Sequence, residues 1–207
     1  MRETREGDIE LWWPTPVFMH RWPDCAALNR DLETLIRAKM ESSPGKQRSN
    51  VGGWHSEEDL MAWPSPAVAH LKQLIERGLT EIIGDSVGPH AVPQKFAIAA
   101  WANVNKAGDS NDTHDHGNHA WAGVYYVATG HADPDAPSSG PLELLDPRVA
   151  ASRIHLPNGQ FSAARLLRPL PGTMVIFPAW LWHSVRPHQE PGLRISIAFN
   201  VAEVRAS

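Results

Sequence analysis

Three histidines and one arginine carry the chemistry this sequence could do. His114 and His116 stand two apart in the run NDTHDHGNHAW. Side chains two apart on an extended strand share a face, so the pair can offer two imidazoles to one ion. His183, in FPAWLWHSV, follows a Phe-Pro turn and opens another strand-like stretch, where it can add a third nitrogen. Three protein ligands leave coordination positions open, the arrangement of a reactive metal rather than a structural one. A plainer reading makes 114–119 a solvated loop and His183 a satisfied core residue; Arg194 weighs against it. This arginine opens the alternating run RISIAFN, with Ser196, Ala198 and Asn200 on its face and Ile195, Ile197 and Phe199 on the other. A guanidinium on an otherwise apolar strand is costly to bury without an anion. Its planar fork suits a carboxylate, and Ser196 can donate one more hydrogen bond. A structural Asp or Glu could partner it, but closeness to the histidines favours a bound acid.

The elements around these residues change character near residue 93. Before it the period is helical. Asp24, after Pro23, is the expected N-cap of a helix carrying Leu28, Leu32, Leu35, Ile36 and Met40. Residues 42–54 read as a polar, glycine-rich loop. Ser65-Pro66 opens a second helix, with Val68, Leu71, Leu74, Ile75, Leu79 and Ile82 on one face and a stop near Gly84. Both are amphipathic and need an apolar surface to cover. After residue 93 the pattern alternates. PQKFAIAAWANVN, AWAGVYYVA, LELL, TMVIF, HSV and LRISIAFNV read as strands, divided by Gly140-Pro141, Pro157-Asn158-Gly159, Pro171-Gly172 and Pro191-Gly192. The proline-rich stretch 131–141 reads as a surface loop. The class is α+β, with the β part a sandwich or jelly roll.

Composition narrows the function classes. The chain has 207 residues, 42% hydrophobic and 20% charged, which fits one globular domain able to fold without a structural metal. A net charge of -4, with no basic patch, argues against nucleic-acid binding. The single cysteine, Cys25, excludes an internal disulfide. No stretch approaches the roughly 20 apolar residues of a membrane span, and the N-terminus is too acidic for a signal peptide. A cytoplasmic location is expected.

With these residues in view, the sequence resembles the Fe(II)/2-oxoglutarate-dependent oxygenases, in particular a bacterial and phage group of them. The resemblance rests on His114-x-His116 followed by AWAGVYYV, on GTMVIFPAWLWHSVRP and on LRISIAFN, and reaches weakly into WPTPVF and SNVGGWHS. It implies a double-stranded β-helix (a cupin-like jelly roll) with N-terminal helices on the outer sheet face, residues 1–90 forming the helical layer and 91–207 the barrel. It implies Fe(II) held by His114, His116 and His183, and 2-oxoglutarate with its far carboxylate on Arg194 and Ser196. Tyr125 or Tyr126, and Asn103 or Asn105, would add hydrogen bonds, with Tyr125 and Asn103 the expected pair. The superfamily places Asp or Glu where His116 stands. Asp112 or Asp115 could supply that carboxylate, but Asp115 faces away from His114 in a regular strand, so three imidazoles are expected. His119 is expected at the rim.

The resemblance implies oxidation of a small molecule or a peptide. Two other readings compete: a three-histidine zinc hydrolase or hydratase, and a non-catalytic cupin-like module that binds a small acid. Trp54, Trp180 and Trp182 are candidates for the substrate mouth. A homodimer is compatible with the sequence.

Overall fold

A computed structural model describes residues 14–92, 95–130, 140–148, 163–168, 170–189 and 191–202. Two antiparallel sheets face each other, and two helices cover the outer face of the larger one. Its strands are β1 (Phe18–Arg21), β3 (Trp54–His55), β4 (Ile98–Asn105), β6 (Trp121–Thr129), β9 (Thr173–Pro178) and β11 (Arg194–Val201), in the order β1-β9-β6-β11-β4-β3. The smaller sheet runs β2-β5-β10-β7-β8, from β2 (Asn50–Val51), β5 (Ser110–His114), β10 (His183–Val185), β7 (Leu142–Leu145) and β8 (Ala164–Leu167). This is a double-stranded β-helix.

Strict alternation along β4 and β11 builds two cores. Ala100, Ala102, Val104, Ile195, Ile197 and Phe199 face outward and meet helices α1 (Ala26–Ser42) and α2 (Pro66–Ser86) through Leu32, Ile36, Leu71, Ile75 and Leu79. Each large side chain sealed there contributes roughly 1.5–3 kcal/mol. A smaller core between the sheets joins Val124, Tyr126, Val175 and Phe177 to Leu142, Leu144 and Leu181. Gly78 lets α2 come close to the sheet, since a methyl group there would sit 2.9 Å from the Ile176 side chain.

The helix ends differ in part from the sequence expectations. Ser65 caps α2, its hydroxyl accepting the Ala67 N–H, with Pro66 in the first turn. That helix runs past Gly84 to Ser86. The cap of α1 is Cys25, not Asp24, which takes a left-handed φ of 53° in the preceding turn. Residues 42–54 are not simply a loop. Asn50–Val51 adds an edge to the small sheet, and Trp54–His55 pairs with β4 across from Val104 and Asn103. With β1 pairing β9, the first ninety residues supply strands to both sheets as well as the helical cover. The expected loop is described only from Gly140 onward, and the Pro157–Gly159 turn lies outside the described residues.

Candidate metal centre

The site sits between the sheets and draws on both. In the β5–β10 ladder His183 lies directly opposite His114, so the two rings share a face, with centroids 4.4 Å apart. His116 lies two residues beyond the end of β5. Its N–H donates to the Ala179 carbonyl at 2.9 Å, which bends the chain along the turn before β10 and returns the third ring to the other two. Its centroid is 5.0 Å from His114 and 5.1 Å from His183. One ring nitrogen from each histidine lies within 4.8 Å of the others, an arrangement that could hold one metal ion. No carboxylate joins this group among the described residues, so Asp112 and Asp115 do not complete it. His119 is exposed at the rim.

The local electrostatics suit metal ligation. Burial, followed by the neighbouring His183, His114 and His119, pulls His116 down to about 3. Burial and His114 pull His183 down to about 4, against the Leu181 carbonyl and Asp115. Both are neutral at pH 7, the form that binds metal. Two tautomers follow from hydrogen bonds. His114 donates from Nδ1 to the Asp112 carbonyl at 2.7 Å, and His183 from Nδ1 to the Leu181 carbonyl at 2.8 Å. A carbonyl can only accept, so in each ring Nε2 keeps its lone pair.

The opposite wall comes from the large sheet. Arg194 and Ser196 face the same cavity as the three histidines, and the guanidinium donates from Nη1 to Ser196 Oγ at 3.2 Å. Arg194 is only 4% exposed, and among the described residues no carboxylate lies within ion-pair distance of it. It lies over the Tyr126 ring, 5.1 Å from the centroid, and burial lowers its hold on the proton. Gly140 leaves room for its stem, because a methyl group there would stand 3.0 Å from Arg194 Cδ at a φ of 56°.

Several buried polar atoms around this wall lack hydrogen-bond partners among the described residues: the side-chain oxygens of Asn103, Asn105 and Asn200. Folded proteins rarely leave such groups unpaired, and the oxygen that faces the cavity, on Asn103, fits a polar ligand bound there. Asn103 lines the cavity; Asn105 does not.

Tyr125 is corrected. Its side chain points outward, donating to Asn29 Oδ1 on α1 at 2.7 Å, and Tyr126 takes the inner position. The cause is a bulge. Ile195 pairs with Ala128, but Ser196 pairs with Tyr126, so Val127 is an extra residue that reverses the facing of everything before it in β6.

The tryptophans divide as well. Trp180 and Trp182 are exposed, whereas the Trp54 indole donates to the Ser43 carbonyl and packs on the outer core. The wall is instead Trp101, stacked on buried His55 at 5.5 Å and tilted against His116 at 5.9 Å. His55 and Trp101 were not singled out from sequence; the alternation of β4, which puts Trp101 on the face of Asn103, was the available signal. A larger, more open groove lies beside β1 and the end of α2; no histidine lines it, and it holds no ligand cluster among the described residues.

The fold and its inner site define a class. Residues 99–200 match the family model described as "Putative 2OG-Fe(II) oxygenase". That match, 102 of the 207 residues, places the β part of the chain in this family. The chain is similar in structure to a prolyl-4-hydroxylase from Pseudomonas putida, with a TM-score of 0.67 at 13% identity, covering 92% of this chain and 94% of that one. A Trichoplax adhaerens prolyl hydroxylase in complex with a hypoxia inducible factor peptide gives 0.65 at 11% identity, over 91% and 84%. HygX from Streptomyces hygroscopicus, with nickel and 2-oxoglutarate bound, gives 0.60 at 14%, over 92% and 86%. No curated protein sequence matches the chain significantly. No described helix is long and apolar enough to cross a membrane.

Proposed function

We propose that this protein is an Fe(II)- and 2-oxoglutarate-dependent dioxygenase that oxidises a small-molecule or peptide substrate. His114, His116 and His183 hold the iron in this reading. Arg194 and Ser196 take the far carboxylate of 2-oxoglutarate, with Tyr126 and Asn103 within the same cavity. The observation that carries it is Arg194: a buried cation with no acidic partner among the described residues, facing the same cavity as three imidazoles. A dicarboxylate that chelates the metal at one end satisfies both walls at once. A three-histidine zinc hydrolase would leave that arginine uncompensated.

Bound here, Fe(II) and 2-oxoglutarate supply oxidative decarboxylation with O2 and oxidation of a substrate C–H bond. The chain's own work is to place and to shield. The Nδ1 bonds of His114 and His183 aim their Nε2 lone pairs inward. Phe177, edge-on to His183 at 4.9 Å, and Trp101 close the apolar sides and restrict water. Arg194 fixes the distance at which a dicarboxylate can lie.

Adding 2-oxoglutarate anaerobically to the Fe(II)-loaded protein tests this. A weak visible charge-transfer band, followed by succinate release on admitting air, is expected. Zinc retention with indifference to 2-oxoglutarate would favour the hydrolase, and tight binding without succinate a sensor module.

A further inference from the structure

The third histidine is held differently from the other two. His114 and His183 each give their Nδ1 proton to a backbone carbonyl two residues earlier. His116 has no such carbonyl. Its Nδ1 stands 3.2 Å from the side-chain amide of Asn200, on β11 in the opposite sheet. Asn200 is 7% exposed, and its side-chain oxygen is buried without a partner. Its cross-strand neighbours are Ala99 and Ala122, which bring no polar side chain to it.

We infer that Asn200 is a positioning residue for the metal site: its Oδ1 accepts the Nδ1 proton of His116 and so frees Nε2 for the ion. This rests on the three-histidine reading above. With Nδ1 against Asn200, the nitrogen that can face the ion is Nε2, and ligation through Nε2 requires the proton on Nδ1. An amide nitrogen cannot accept that proton; the amide oxygen can. Turning the amide end for end keeps its shape and brings the partnerless oxygen onto the ring. Asn200 is also uncharged. It fixes the tautomer without returning the negative charge that is lost when an imidazole stands where the superfamily has a carboxylate, so the site stays more attractive to an anionic co-substrate.

Zinc is a suitable probe because it is diamagnetic. Long-range proton–nitrogen spectra of histidine-labelled protein with Zn(II) bound should show His116 protonated at Nδ1, with that proton slow to exchange. Asn200→Asp, which keeps an accepting oxygen, should retain both the slow proton and metal affinity. Asn200→Leu should lose the protection and bind Zn(II) about 10–100-fold more weakly, the usual cost of removing a partner behind a metal-bound histidine. A wild-type spectrum with His116 protonated at Nε2 would overturn the assignment whatever the variants do. So would a folded Asn200→Leu protein that binds Zn(II) like the wild type. If the wild type binds no metal, the three-histidine reading itself fails.

Discussion

His183 and His114 occupy one rung of the β5–β10 ladder, each the other's cross-strand partner. Backbone pairing, not side-chain chance, therefore brings two of the three ligands together. Removing either ring should cost more metal affinity than the roughly 10–100-fold attached to a supporting partner. His183→Ala and His114→Ala, purified without a chelating column, should contain far less than one equivalent of metal by elemental analysis. A full equivalent in either would place the ion elsewhere.

Arg194 faces two opposed demands. As a buried cation with no acidic partner among the described residues, it strains the protein whenever no anion is bound. Arg194→Met should therefore raise the melting temperature without ligand, while abolishing the rise that 2-oxoglutarate gives the wild type. The expected loss is about 2–5 kcal/mol of co-substrate affinity, with metal content unchanged. Calorimetric titration measures the first and elemental analysis the second; unchanged affinity would remove Arg194 from the site.

The adjacent tyrosines should separate cleanly. Tyr125→Phe leaves Asn29 Oδ1 without its 2.7 Å donor and should cost roughly 1 kcal/mol of stability in urea titration, with 2-oxoglutarate affinity intact. Tyr126→Phe removes a buried hydroxyl that faces the cavity beside Arg194. Its stability should hold while co-substrate affinity falls. The reverse pattern would mean that the bulge at Val127 is misplaced.

Acid should weaken the metal-free fold through two histidines. His116 and His183 stay neutral when folded, down to about 3 and about 4, whereas the unfolded chain protonates them near 6.5. Between those limits the unfolded state holds more protons, so their contribution makes stability fall as pH drops below 6.5 and adds no slope above it. Urea midpoints of apo wild type and His183→Asn at pH 7.5, 6 and 5 check this (pH values set roughly to bracket the unfolded pKa). The variant should lose less stability than the wild type on acidification; an equal loss would contradict the assignment.

Much of this arrangement is legible in the sequence because it follows a two-residue period. The face shared by Arg194 and Ser196 and the division of β4 into a core side and a polar side both come from alternation, and the structure has each; His116 instead lies past the end of β5 and reaches the other two rings through a turn. Tyr125, expected from the resemblance, faces outward because β6 carries a bulge. One extra residue reverses the parity, and nothing in VYYVAT marks where it falls. The Asp24 cap was displaced because the chain turns left-handed there, moving the helix start to Cys25. β2 and β3 were hidden by their length, two residues each being too few for a pattern. His55 carries no local signal, its stacking partner Trp101 being 46 positions away; Asn200 shares the Arg194 face, but its neighbour His116 lies 84 positions away.

The anchors stand on facing sheets, His114 and His183 on one and Arg194 on the other, with a modest apolar layer between them. A dicarboxylate reaching from ion to guanidinium would rivet these halves, so occupancy and rigidity should rise together. Catalytic readiness and slow amide exchange in β5, β10 and β11 would then be two readouts of one event.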